Sequence, residues 1–150
     1  MAFTTSTFLS DSIKFIRDFL DDTLTDPISS KRAGRDRFVM TSYPDRPVKY
    51  PIITVKKSSM STISRSGQQS EGVWQGLIVE VRVWSKSETQ KDKLTEQVFN
   101  ALRSNQFGTG GSVEFELHDF MLLSSVPIEE DGEDGLKSEV MEYQYRLEII

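Results

Sequence analysis

The chain of 150 residues has no cysteine and one histidine, His118. It therefore forms no disulfide, binds no metal through thiolates and has no cysteine nucleophile, and a centre built from several histidines is excluded. No apolar run approaches the roughly 20 residues that span a bilayer. Met1-Ala2-Phe3 lacks the cationic start of a signal peptide. We expect a soluble, intracellular protein that uses no cofactor, no metal and no membrane.

Basic residues are also fewer than acidic residues. The chain has 18 Lys and Arg against 23 Asp and Glu, a formal net charge of −5. This balance argues against a general affinity for nucleic acid or for an anionic membrane. The composition is otherwise ordinary, with 37% hydrophobic and 27% charged residues, so wholesale disorder is excluded. The length suits a single domain, residues 1–150, able to bury one sizeable core.

Two segments have the periodicity of amphipathic helices. The first runs from about Ser10 to Leu24, with Ser10 as its N-cap and Asp26-Pro27 after its end. The second opens at Ser87, which forms a capping-box pattern with Gln90. Glycine-rich residues 107–111 then stop it. Their apolar stripes are Leu9, Ile13, Ile16, Leu20 and Leu24, and Leu94, Val98, Ala101 and Leu102.

Five segments alternate with period two and predict strands. They are residues 38–43, 52–55, 77–84, 113–123 and 141–149. Residues 58–73, rich in Ser, Thr, Gln and Gly, predict a long exposed hairpin arm or mobile loop, and residues 127–137 an acidic loop. The fold class that follows is α+β, with two helices on one face of a mainly antiparallel sheet of four or five strands. The other face of the sheet is amphipathic, so it is either exposed to solvent or covered by another chain.

The sequence offers no catalytic constellation. His118 and Asp119 are adjacent on a predicted strand and point to opposite faces, so they cannot support one another. The glycines at 108, 110 and 111 follow a helix rather than open one, which is unlike a phosphate-binding loop. The acidic segment lacks the ligand spacing of an EF-hand. We therefore expect no catalytic, cofactor-binding or metal-binding residues and no enzymatic activity.

Two further groups each allow two interpretations. The basic cluster Lys31, Arg32, Arg35 and Arg37 could contact phosphate, or it could be a flexible linker that keeps the chain soluble. Trp74 and Trp84 flank the central strand and share a face by parity. Each belongs to the core or to a contact surface, where tryptophan is enriched.

Residues 38–44 and 50–55, together with the order of elements, resemble tail terminator (tail completion) proteins of long-tailed viruses of bacteria and archaea. The resemblance implies a non-enzymatic protein of the virion, assembled in the host cytoplasm and located at the head-proximal end of the tail. Such proteins form a ring, usually of six copies, that caps the tail tube, ends its growth and joins the tail to the head connector. The implied partners are other copies of the chain, the tail tube protein and the head connector protein. DNA passes through such a ring without specific binding.

This resemblance selects two groups of candidate residues. A subunit or partner interface is expected at the arm and at the last strand, residues 141–150, as an edge that pairs across subunits. Its candidates are Arg65, Gln68, Gln69, Trp74, Tyr143 and Tyr145. A lumen-facing acidic loop would repel the phosphates of DNA. Its candidates are Glu129, Glu130, Asp131, Glu133 and Asp134.

Other functions stay open. Head–tail connector or neck proteins of the same virion share the size, the fold class and the ring habit. A regulatory or ligand-binding α+β domain of the host cell is the alternative from a different class, and it would need a pocket. A hydrolase is disfavoured because no nucleophile–base pair can be proposed.

Overall fold

The computed structural model describes residues 6–32, 36–45, 47–66, 72–104, 117–129 and 135–149. Within these residues the chain forms two α-helices, a short 3₁₀ helix at Ser29–Lys31 and five strands. The helices are α1 (Phe8–Thr23) and α2 (Glu88–Ser104). The strands are β1 (Val39–Met40), β2 (Ile52–Ser66), β3 (Gly72–Ser85), β4 (His118–Glu129) and β5 (Lys137–Ile149). The predicted α+β class is confirmed.

Helix α1 begins earlier than its sequence pattern predicts. Its N-cap is Thr7 rather than Ser10, and the carbonyl of Thr7 accepts the N–H of Asp11 at 2.9 Å. The earlier start adds Phe8 to the helix, and Phe8 packs against the core together with Leu9 of the predicted stripe. Leu24 has the extended conformation that ends the helix, as the following Asp26-Pro27 predicts.

Helix α2 begins after Ser87, as predicted. The Ser87 hydroxyl accepts the N–H of Gln90 at 3.3 Å. The return half of the capping box is relayed through Ser85, whose hydroxyl accepts the Ser87 N–H at 3.1 Å and donates to Gln90 Oε1 at 2.8 Å. Two of the four free N–H groups at the start of α2, those of Ser87 and Gln90, are therefore satisfied by side chains. The predicted stop at residues 107–111 lies outside the described residues.

The sheet has the strand order β1-β2-β3-β5-β4. β1 pairs parallel with β2, and the other three neighbouring pairs are antiparallel. The prediction of a mainly antiparallel sheet is confirmed. The last strand, however, is not an edge, because β5 lies between β3 and β4. The described strands at the two margins are β1 and β4.

All five predicted strands differ in extent from the structure. β3 begins at Gly72 rather than at residue 77, and β5 begins at Lys137 rather than at residue 141. β1 has two residues instead of the six predicted, because the chain leaves the sheet before Pro44. β2 extends far beyond Val55. β4 continues past Leu123 through Pro127, a residue that a marginal strand tolerates since one side needs no N–H donor. Residues 113–116 of the predicted fourth strand lie outside the described residues.

The main core lies between the helices and one face of the sheet. Alternate residues of β3 and β5 point into it, because successive side chains on a strand face opposite sides. On the sheet these are Leu77, Val79, Val81, Val83, Met141, Tyr143, Tyr145 and Leu147. The helices contribute Ile16, Leu20, Leu94, Val98 and Leu102. The predicted apolar stripes are thus the ones that pack on the sheet.

A second, smaller core lies on the other face. It consists of Ile52, Trp84 and Leu136, and Met40, Val48 and Tyr50 pack against it. The segment between β1 and β2 therefore covers one end of this face. From the sequence alone, this face was expected to be exposed to solvent or covered by another chain. Trp84 belongs to this core, and its indole N–H donates to Thr54 Oγ1 at 3.1 Å.

Candidate functional site

The segment predicted as an arm is the distal half of a long β-hairpin. β2 and β3 stay paired from Ile52 with Trp84 to Ser66 with Gly72, with register shifts between Lys57 and Ser59 and between Thr62 and Ser64. β5 lies along the other side of β3 as far as Val73. The outer strand of the arm is therefore β2, and residues 56–60 are all exposed.

The predicted contact residues of the arm are only partly described. The backbones of Arg65 and Trp74 lie near the distal end of the hairpin, where Arg65 pairs with Val73 and Ser64 pairs with Trp74. The side chains of both residues, and the whole of Gln68 and Gln69, lie outside the described part of the chain. The structure brings Arg65 and Trp74 close along the backbone, and their contact role stays a prediction.

The structure corrects the placement of the two tyrosines. Tyr143 and Tyr145 are 2% and 0% exposed and face the main core. They share the parity of Met141 and Leu147, so the alternation of β5 points them toward the helices. Phe120 stacks against both, at ring-centroid distances of 5.2 Å and 5.5 Å. Their side chains are therefore core residues rather than surface contacts.

The two phenols differ in their hydrogen bonds. The Tyr145 hydroxyl lies 2.8 Å from Ser12 Oγ on α1, and this contact is buried. The Tyr143 hydroxyl has no hydrogen-bond partner among the described residues. Burial raises the pKa of both tyrosines, and for Tyr145 the hydrogen bond with Ser12 opposes part of that rise.

The acidic segment begins later than predicted. Glu129 is the last residue of β4, where it pairs with Lys137 at the start of β5, and its side chain is exposed. Glu130, Asp131, Glu133 and Asp134 lie outside the described residues. Gly135, which precedes β5, has a φ of 75°, a conformation that favours glycine. The lumen-facing role of this segment stays a prediction.

Strand β4 is a surface that the sequence analysis did not select. Met121, Leu123, Val126 and Ile128 are 52%, 44%, 51% and 40% exposed. β4 pairs with β5 on one side, and no described strand pairs with its other side. The sequence does indicate this surface, because the run Met121-Leu122-Leu123 places apolar residues at both parities of a strand. Such a strand presents apolar side chains on two faces.

Two buried ionic groups connect separate segments of the chain. Arg32 donates to both carboxylate oxygens of Asp26, at 2.6 Å and 3.1 Å, and to the carbonyls of Lys49 and Pro51. Its side chain is 5% exposed, so Arg32 is neither a phosphate contact nor part of a flexible linker. Arg35 of the same basic cluster lies outside the described residues.

Lys91 of α2 is the second ionic group. Its side chain is buried and lies within 4 Å of carboxylate oxygens of Glu88, Asp92 and Glu139. Burial lowers the pKa of Lys91, but the hydrogen bond to Glu88 and the three nearby negative charges outweigh this, and the pKa is raised. Glu139 also accepts from Ser125 of β4 at 2.7 Å. This network ties α2 to β5 and to β4.

One concavity lies between the segment after α1 and the start of α2. It has a volume of about 410 Å³, and its lining includes Thr25, Pro27, Gln90 and Leu94. Lys93 is its one titratable residue, so this groove brings no acid and base together. The described residues also contain no group of three or more side chains suited to hold a metal ion. Among the described helices, none has the length and apolarity to cross a membrane.

Comparisons with known proteins add little. No protein-family model matches the chain, and no curated protein matches it. A chain in a solved structure described as the virion of a native gene transfer agent particle is similar, with a TM-score of 0.49 and 14% identity. The similarity covers 74% of this chain and 78% of that chain.

Proposed function

We propose that the protein is a non-enzymatic structural component of a tailed virus particle, and that it forms a ring that caps the tail tube. One observation carries this proposal: the described sheet is open along β4 and, beyond Thr54, along β2, which are two dissimilar strands at opposite margins of the sheet. A closed ring needs two different, complementary surfaces on each copy. The sequence resemblance to tail terminators is the reason for proposing that this ring caps a tail tube.

The arm is suited to contact the tube. β2 and β3 extend the sheet to Ser66 and Gly72, and residues 56–60 of the outer strand have exposed side chains. Exposed strands offer backbone donors and acceptors to a neighbouring protein. In this proposal the arm meets the tail tube protein or the adjacent subunit, and the opposite end of the ring meets the head connector protein.

The test is negative-stain imaging of the purified protein mixed with tails that lack a cap. We expect the intact chain to form a ring on tail ends, and a variant lacking residues 61–69 to keep a cooperative thermal melt but lose capping. Glu96→Ala, an exposed change on α2, is the matched control and should cap normally. Capping by the deletion variant would remove the arm from the contact. Binding to head connectors instead of tails would favour the connector alternative.

The acidic segment is proposed to line the lumen. Glu129, Glu130, Asp131, Glu133 and Asp134 bring five carboxylates within six residues, and their charge would keep DNA from adhering to the wall. Replacing them with Ser and Gln should leave stability nearly unchanged and make assembled particles retain DNA. Unchanged DNA retention would contradict the lumen role.

A further inference from the structure

A ring requires one particular contact between copies, and the two open strands supply it. We infer that copies join head to tail, with β4 of one copy pairing antiparallel with β2 of the next, so that the sheet continues across the subunit boundary. The inference rests on the proposed ring and specifies which strands meet.

Both strands are available over most of their length. β1 pairs only with Ile53 and Thr54 of β2, so beyond Thr54 no described strand lies against the outer side of β2. β4 likewise has β5 as its only described neighbour. Unpaired N–H and C=O groups along such margins are a template for another strand. Each copy thus offers two different strand margins, each with N–H donors and C=O acceptors.

Strand direction permits the pairing. β2 is antiparallel to β3, β3 to β5 and β5 to β4. β2 and β4 therefore run in opposite directions in one copy. All copies in a ring have the same orientation relative to its axis, so β4 meets the neighbour's β2 antiparallel. A two-fold dimer through β2 with β2 would also be antiparallel, so direction alone does not choose between the two.

The charges of β2 and β4 distinguish the head-to-tail contact from the two-fold dimer. β2 contains Lys56, Lys57 and Arg65 and no acidic residue, whereas β4 contains Asp119 and Glu129 and no Lys or Arg. Two-fold contacts would place like charges opposite each other, which destabilises strand pairs. A head-to-tail contact would instead bring the basic strand β2 against the acidic strand β4. The charges therefore favour a ring over a two-fold dimer.

The exposed apolar side chains give the contact its area. Met121, Val126 and Ile128 on β4, and Met60 on β2, are between 40% and 52% exposed. Strands that must avoid neighbours usually carry charges at such positions. Pro127 removes one N–H donor from β4. The pairing of β4 with β5 is also irregular between His118 and Met121 and between Leu122 and Ser124, so the regular stretch before the proline is residues 124–126.

Engineered disulfides test the pairing cleanly because the chain has no cysteine. Ser124→Cys is combined with a cysteine at each position from 56 to 64 in turn, and the variants are oxidised in solution and on tails. β3 and β5 separate β2 from β4 within one copy, a distance of about 14 Å, which exceeds the span of a disulfide. Any bond must therefore join two copies.

We expect one or two of these double variants to give a ladder of covalent oligomers on a non-reducing gel, and the single-cysteine variants to give none. A dimer from a single-cysteine variant would show two-fold pairing and overturn the inference. Failure of every double variant, both in solution and on tails, would overturn it too. Tails capped without any cross-link would count against the pairing alone. Cross-linked rings that ignore tails would count against the proposed function alone.

Discussion

At the scale of single residues, Tyr143 and Tyr145 form a natural matched pair. Both are buried on β5, and both stack on Phe120. They differ in one hydrogen bond, which only Tyr145 makes, with Ser12. The cost of removing each hydroxyl should therefore differ, although the aromatic packing is the same.

Tyr145→Phe should lower the free energy of unfolding by about 1 kcal/mol, the usual net worth of one buried hydrogen bond. Tyr143→Phe should be neutral or slightly stabilising, because it removes a buried hydroxyl without a described partner. Chemical denaturation of both variants measures the difference. Equal losses would mean that the contact with Ser12 contributes nothing specific.

The faces of these residues could be predicted, but their role was misjudged. The parity of β5 already placed Tyr143 and Tyr145 with Met141 and Leu147, on the apolar face. The expectation of a contact surface came from placing the last strand at an edge of the sheet, and for the two side chains this is a weaker guide than alternation. Arg32 could not be interpreted from sequence, since its partners Lys49 and Pro51 are brought near only by the fold.

At the scale of elements, the start of α2 has a testable cap. Ser87→Ala should destabilise the protein by about 1 kcal/mol, because the N–H of Gln90 loses its acceptor. Thr89→Ala, an exposed change in the same turn, should be neutral or slightly stabilising, since alanine has the higher helix propensity. Thermal melts of both variants give the comparison. Equal stability of the two would argue against the cap.

Element types could be predicted, but their neighbours could not. The 3.6-residue stripes and the alternation at residues 77–84 reflect burial of one face, which a sequence records directly. The position of β5 between β3 and β4 depends on pairings between residues far apart in the chain, and no local pattern encodes them. The exposed margin along β4 was missed for this reason.

At the scale of the whole molecule, the opposite charges of β2 and β4 predict that assembly depends on salt. Raising the ionic strength should weaken ring formation, because screening reduces attraction between exposed charges. At low salt, Lys57→Glu should weaken ring formation relative to the unchanged chain. Lys93→Glu on α2 makes the same change in net charge away from β2 and is the control, which should form rings normally. Sedimentation across a salt series measures both. Ring formation that is insensitive to salt and to Lys57→Glu would contradict a charge-guided contact.

The central position of β5 also constrains how the sheet forms. β4 precedes β5 in the chain, yet it joins the sheet only through β5. While the ribosome is still making the segment that becomes β5, the earlier strands β2 and β3 can close as a hairpin, but β4 has no place to dock. The apolar side chains of β4 thus stay exposed until β5 has been synthesised. Exposed apolar surface of this kind makes a nascent chain prone to aggregate and dependent on chaperones.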